Sequence, residues 1–280
     1  MQAVLITAYK DVEHLKWLVK YLSAAMRVFV HIDAKSNIDA KSIAACGATV
    51  LKRYVVGWGS FNHLAAIMDL MRLAVNDPEV DYLHVISGQD MPVQDFAWFD
   101  RTFGRSEKIY MKCIGPDSSA YRKDWVEYYY LSTDLDKRKK WVRRLNKITS
   151  TMQDVIGIKR HGIGRLTQVR KGLVYVSLPK AAADYAVTYF DSHARFRFDL
   201  RHTIVPEEFC FQTIRECVLK IHIFSNQSNG YGIRRIVKIL YHLLPKGEIR
   251  LGAGKVQCLA NRLGKILLLK HQGNFVKALG

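Results

Sequence analysis

The sequence predicts an α/β fold in which helices cover both faces of a mostly parallel, doubly wound sheet. Short apolar runs alternate with helical periodicities through the first 115 residues, and polar or glycine-containing motifs follow several of these runs. The chain has 280 residues, 49% of them hydrophobic, which is enough to fill a sizeable core. Because ligands bind beyond the carboxyl ends of parallel strands, the motifs at those ends are the first candidates for a site.

The order of the predicted elements follows this alternation. Leu15, Leu18 and Leu22 share one face of the first helix, and Ile67 and Met71 share one face of a later one. Strands are expected at 4–8, 27–32, 49–52, 82–86, 109–112 and 172–178. Helices are expected at 11–25, 61–75 and 180–190, and a short helix that ends at 45 is expected after the second strand.

The positive charge is concentrated at the C-terminal end. The net charge is +18, and residues 219–280 hold eleven Lys or Arg against one acid, Glu248. We therefore divide the chain into a domain at 1–218 and a basic, partly amphipathic helical tail at 219–280. Two stretches, 231–246 and 259–271, have apolar residues at helical spacing with cations between them. They fit helices on an anionic membrane surface or two ordinary helices packed on the domain.

From the hydropathy pattern we expect neither a secretory signal nor a membrane-spanning segment, and we expect the first apolar run to be a buried strand. Its five cysteines are scattered and without CxxC spacing, which favours a reducing compartment. We expect a cytoplasmic protein that binds peripherally to the cytoplasmic face of a membrane. Nucleic acid is not an expected partner, because the sequence has no zinc-finger spacing, RNP-like segment or convincing helix-turn-helix.

A second basic region lies at 121–171. An aromatic stretch at 125–130 precedes a run of four cations at 137–140, and further cations follow at 143–144 and 159–160. One interpretation is a solvated helix face, and the other is a surface that contacts the acceptor or an anionic partner.

The segment Pro206-Glu207-Glu208 places two acids at the start of a short predicted helix. Proline suits the first helical position, and acids there oppose the positive end of the helix dipole. A carboxylate fixed at a helix start could act as a general base, although both acids could also serve only as helix-start charges. Two adjacent carboxylates do not suit a glycoside hydrolase, which places them across the scissile bond. The Asp134-Leu135-Asp136 sequence is expected to be a charge cluster at a helix N-terminus.

Six stretches together carry a family resemblance. They are LITAYKDVEHL at 5–15, VHIDAKS at 30–36, VGWGSFNHLA at 56–65, YLHVISGQDMPV at 82–93, GLVYVSLP at 172–179 and VPEEFCFQTI at 205–214. In this order they resemble the core-2/I-branching β-1,6-N-acetylglucosaminyltransferase family, which includes the peptide O-xylosyltransferases. The resemblance implies a GT-A type, Rossmann-like fold, a UDP-sugar donor, inversion at the anomeric carbon and no divalent metal or other cofactor.

The resemblance also implies roles for particular residues. Glu208 matches the catalytic base, Asp33 matches the aspartate that contacts uridine, and Trp58 and Asp90 match motif positions assigned to donor binding. Acceptor-binding residues are not assigned. The expected function is transfer of β-linked GlcNAc from a UDP-sugar to a glycan or glycolipid hydroxyl. Two alternatives stay open, a xylosyltransferase of the same family and a catalytically impaired homologue that binds membrane surfaces.

The sequence departs from the family at three places. Tyr9 stands where many members have His, and Glu207 stands where they have Asp. The Arg and Lys that neutralise the UDP diphosphate in the family have no matching segment after Val218. Two alternative explanations are a diverged C-terminal end and a coding frameshift that replaced the C-terminus of the family.

Overall fold

A six-stranded sheet organises the fold. The computed structural model describes residues 1–164, 166, 168–218, 248–251, 254–260, 267–271 and 274–278. The strand order is β3-β2-β1-β4-β6-β5. β1 pairs in parallel with β2 and β4, β2 pairs in parallel with β3, and β6 is antiparallel to both neighbours. The strands are β1 Gln2–Ala8, β2 Arg27–Ile32, β3 Ala48–Leu51, β4 Tyr82–Ser87, β5 Tyr110–Ile114 and β6 Lys171–Pro179.

The helices connect these strands and extend the domain beyond them. A short 3-10 helix, Pro206–Glu208, directly precedes the last helix. The α-helices are α1 Val12–Leu22, α2 Ala40–Ala44, α3 Phe61–Asn76, α4 Phe96–Phe103, α5 Asp124–Glu127, α6 Lys140–Val155, α7 Lys180–Ser192, α8 Ala194–Arg201 and α9 Cys210–Val218.

The central strand β1 separates two cores. Ala3 and Leu5 belong to the hydrophobic cluster that includes buried residues of α3 and α7. Val4 and Ile6 belong to the cluster that includes buried residues of α1 and α4. Successive side chains of a strand point to opposite faces, so this division places helices on both faces of the sheet. The predicted doubly covered, mostly parallel α/β architecture is confirmed, and it is consistent with a GT-A type fold.

Several predicted boundaries shift by a few residues. The first helix ends at Leu22, not at 25, and it is followed by a turn in which the amides of Ala25 and Met26 both donate to the carbonyl of Leu22. The third strand begins one residue earlier, at Ala48, where it pairs with Val28.

The described part of the C-terminal end is extended. β7 Glu248–Leu251, β8 Gly254–Ala260, β9 Leu267–His271 and β10 Asn274–Ala278 form an antiparallel sheet in the order β10-β9-β8-β7. The predicted helix at 231–246 lies outside the described residues. The predicted helix at 259–271 is wrong for the residues that are described, which pair as strands. An apolar run such as 267–269 fits either structure by periodicity, and pairing with neighbouring strands decides between them.

Of the helices within the described ranges, none has both the length and the apolar character needed to cross a lipid bilayer.

Candidate active site

The loops that follow β2 and β4 are fastened to the end of β1. The amide of Asp33 donates to the carbonyl of Ala8 over 2.8 Å, and the amide of Gly88 donates to the carbonyl of Thr7 over 2.8 Å. A Cβ at Gly88 would lie 2.7 Å from the Cβ of Ala8, so glycine permits this close approach. Two of the predicted motifs therefore meet at one edge of the sheet.

Asp33 is buried, and its carboxylate is bonded within the protein. Oδ1 accepts hydrogen bonds from the amides of Lys35 (3.1 Å) and Val56 (3.2 Å), and Oδ2 lies 3.3 Å from Nζ of Lys35. Asp33 thus holds the loop after β2 against the loop after β3. Its contact with a donor nucleotide stays a prediction.

Asp90 closes the turn after β4. It is buried, and this burial raises the pKa of its carboxyl group, against the opposing effect of a hydrogen bond from the amide of Ser87 to Oδ2 (2.6 Å). Nε2 of His14 lies 3.1 Å from the Asp90 carbonyl oxygen. Asp90 therefore shapes the loop from within, and its place on the donor-sugar side stays a prediction.

The loop at 57–60 presents Trp58 to solvent and contacts two distant segments. The Trp58 carbonyl accepts a hydrogen bond from the amide of Lys137 over 3.0 Å. Gly59 has a φ of 66°, and a Cβ there would lie 3.0 Å from Cγ2 of Val205. Glycine supplies both the left-handed conformation and the space for this contact.

Val205 leads into the segment that carries the two acids. Its φ of 55° and ψ of 55° are unusual for a β-branched residue. Its amide donates to the carbonyl of Gly59 (3.2 Å), and its carbonyl accepts from the amide of Glu208 (3.0 Å). Such strain costs roughly 1–3 kcal/mol and persists where surrounding contacts fix it, which is common at functional sites. The predicted helix start at Pro206 is confirmed as a 3-10 turn followed by α9.

Glu207 points into the protein. Its Oε1 lies 2.9 Å from Nδ1 of His63, and Nε2 of His63 lies 3.2 Å from Oγ1 of Thr7 at the end of β1. Oε2 of Glu207 is buried without a hydrogen-bond partner among the described residues. Lys137 is buried close enough to interact with this carboxylate, and burial lowers the pKa of its ammonium group to about 8. This arrangement ties the acidic segment to the same sheet edge as Asp33.

Glu208 points toward a cation and stays partly accessible. Its Oε2 lies 2.5 Å from Nζ of Lys171, the first residue of β6, and 22% of its side chain is exposed. Burial raises the pKa of the Glu208 carboxyl group, Lys171 opposes this shift, and the nearby Glu207 charge adds to it. A carboxylate with a raised pKa is a better proton acceptor than an ordinary surface glutamate. The two neighbouring acids therefore have different environments, and the Glu208 side chain is more exposed to solvent than the buried Glu207.

The reversed direction of β6 explains why Lys171 belongs to this edge. β6 runs antiparallel to β4, so its first residue lies where the parallel strands end. Sequence reasoning missed Lys171 and also His63 and Lys137. His63 falls inside the family-like stretch 56–65 and Lys171 directly precedes the stretch 172–179, but periodicity does not indicate their pairing with Glu207 and Glu208.

The Asp134-Leu135-Asp136 sequence lies in a loop before α6, not at the helix N-terminus as predicted. Asp134 Oδ2 accepts from Nη2 of Arg201 (3.1 Å), and Asp136 Oδ2 accepts from Nη2 of Arg138 (2.7 Å). The Arg138 hydrogen bonds lower the pKa of the Asp136 carboxyl group. Within the described part of the chain, no group of three or more His, Cys, Asp or Glu residues is placed to hold a metal ion.

Comparison with known families gives the chain its place. The Branch profile, described as Core-2/I-Branching enzyme, matches residues 3–236, which is most of the chain and covers all the site residues above. A search of curated proteins found no match. The resemblance seen in the six sequence motifs is thus confirmed, and the chain belongs to the core-2/I-branching enzyme family of glycosyltransferases.

Proposed function

We propose that the protein is an inverting glycosyltransferase that moves GlcNAc from a UDP-sugar to a glycan hydroxyl, with Glu208 as general base and without a metal ion. Family membership supports sugar transfer to a glycan acceptor. The position of Glu208 carries the proposal for the base. It lies at the sheet edge where α/β enzymes bind ligands, and burial raises the pKa of its carboxyl group.

The reaction is a single displacement at the anomeric carbon. The acceptor oxygen forms a bond to that carbon while the bond between the carbon and the UDP oxygen breaks. The proton of the acceptor hydroxyl passes to Glu208, and the electron pair of the broken bond leaves with UDP. Attack from the face opposite UDP inverts the configuration.

Leaving-group charge must be stabilised by fixed cations or amide dipoles in a metal-free reaction. Lys171 contacts Glu208, and Lys112 is near enough to lower the pKa of the same carboxyl group. These two lysines contribute positive potential beside the reacting centre. Asp33, Trp58 and Asp90 are the residues that we propose for donor binding.

A donor screen tests the transferred sugar and the metal requirement together. UDP release is measured with UDP-GlcNAc, UDP-xylose and UDP-glucose, each with and without EDTA. We expect the highest turnover with UDP-GlcNAc and no loss with EDTA. A preference for UDP-xylose would identify the xylosyl alternative, and a strict Mg²⁺ or Mn²⁺ requirement would refute the metal-free reaction.

Matched variants test the base. Glu208→Gln keeps the shape of the side chain and removes its basicity, so we expect turnover to fall by about 10² or more while UDP affinity, measured by calorimetry, is unchanged. Glu207→Gln changes a buried side chain that points to His63, and we expect a smaller loss. Equal losses for the two variants, or full activity of Glu208→Gln, would remove Glu208 from this role.

A further inference from the structure

Helix α6 is attached to the domain through its polar side chains. Oδ1 of Asn146 accepts a hydrogen bond from Oγ of Ser132 (2.6 Å), and Gln153 bonds to both the amide and the carbonyl of Tyr129 (2.8 and 3.0 Å). Val142 is the one fully buried apolar residue among the three buried side chains of this helix. A surface helix ordinarily turns its apolar stripe to the core, whereas two of the three side chains that α6 buries against the domain are polar.

The apolar stripe of α6 faces outward. Its members follow one another at steps of four, three, four and three residues, which places them on one face of the helix. Their exposed fractions are 53% for Trp141, 58% for Ile148, 62% for Met152 and 82% for Val155, and Leu145 is half-buried. Ile156 and Ile158, which follow the helix, are also exposed. An apolar group this contiguous marks an interaction surface.

A row of cations runs beside the stripe. Lys140, Arg144 and Lys147 repeat the same spacing one residue earlier than the stripe, and all three are exposed. Asp154 is the one acid in this helix, and it lies 3.0 Å from Nζ of Lys159. The helix therefore has three parallel rows: polar residues toward the protein, apolar residues outward, and cations along the far side of the apolar row.

We propose that α6 docks the protein on the surface of an anionic lipid bilayer. An apolar stripe bordered by cations is the pattern that inserts at the headgroup boundary and contacts acidic lipids. The charge argues against a second copy of this chain as the occupant, because each copy carries a net charge of +18 and the same cationic row. Helix α6 begins three residues after Lys137, whose amide donates to the carbonyl of Trp58 in the candidate site. A bilayer bound to α6 would therefore lie near that site. Docking by α6 does not depend on Glu208 acting as a base.

Vesicle flotation of the full chain tests the proposal. The probes are vesicles of phosphatidylcholine alone and of equimolar phosphatidylcholine and phosphatidylglycerol. We expect binding to the anionic vesicles at about 0.1 M salt, with a strong decrease at about 1 M salt. The double variant Ile148→Ser/Met152→Ser lowers the partition coefficient by about tenfold or more. Arg144→Gln/Lys147→Gln lowers it by roughly tenfold or more on anionic vesicles.

Matched substitutions elsewhere serve as controls. Val55→Ser removes an exposed apolar side chain, and Lys20→Gln/Lys41→Gln removes two exposed cations, and we expect unchanged partition for both. If the Ile148→Ser/Met152→Ser variant binds the vesicles as well as the wild-type protein does, the proposal is overturned, because a segment other than the apolar stripe of α6 then binds the lipid. Absence of wild-type binding also overturns it. A wild-type dimer that this variant converts to a monomer, measured by sedimentation, would assign the stripe to a self-interface instead.

Discussion

Replacement of Lys171 by Met should shift the pH dependence of catalysis. Lys171 opposes the effect of burial on the Glu208 carboxyl group, so its removal raises the pKa of Glu208 further. The base acts only when deprotonated, and activity is therefore lost at a higher pH in the variant than in the wild-type protein.

The size of the shift follows from the contact. An opposite charge within about 4–6 Å lowers a carboxyl pKa by about 1–3, and here the two charged atoms are 2.5 Å apart. Solvent reaches both side chains, with 12% of Lys171 and 22% of Glu208 exposed, and this screening reduces the effect. We expect the acid limb of kcat/KM against pH to move upward by about one unit.

The assay is UDP release measured from acid to neutral pH. Lys171→Arg keeps the charge and should restore the wild-type limb, while Lys123→Met removes a different salt bridge, to Glu127 at 2.9 Å, and should leave the limb in place. An unmoved limb in Lys171→Met, or a shift to lower pH, would refute the reasoning. Thermal unfolding of each variant confirms that the compared proteins are folded.

Three further predictions concern the surrounding structure. Gly59→Ala should destabilise the protein by about 1 kcal/mol or more in denaturant unfolding and reduce turnover, whereas Gly157→Ala, also at positive φ but with nothing within 4 Å of its Cβ, should cost less and leave turnover unchanged. The pKa of Lys137 is about 8 in the folded protein and about 10.5 when unfolded, so wild-type stability should rise relative to Lys137→Met as the pH increases through that window; parallel stability curves would contradict this. Asp33→Ala should weaken UDP binding in calorimetry, and unchanged affinity would remove Asp33 from the site.

The sequence predicted the sheet because its signal is local. The strand 4–8 is apolar at every position but Thr7, which is the pattern of a strand covered on both faces. The polar motifs after β2 and β4 directly follow apolar runs, so their position at strand ends could also be predicted. The direction of β6 depends on long-range pairing, which periodicity does not encode. The ion pair between Lys171 and Glu208 could not be predicted for this reason.

The orientation of helix α6 is a second feature that periodicity does not predict. Its apolar and polar rows are visible in the sequence, but which row faces the domain depends on partners at Ser132 and Tyr129. Helical periodicity alone would assign the apolar row to the core, and here the hydrogen bonds of Asn146 and Gln153 turn the polar row to the domain. The helix predicted at 259–271 was wrong for a similar reason. The apolar spacing fits a helix, and the pairing with neighbouring strands is not visible in the sequence.

The contacts from Thr7 through His63 to Glu207 have a consequence for folding. The two links join residues 56 and 144 positions apart in the chain. Each requires the closure of a long loop, and contacts of that kind form more slowly than local ones. During refolding the acidic segment therefore reaches its final position after the first strand and α3 have come together, so recovery of enzymatic activity should lag behind recovery of helical circular dichroism.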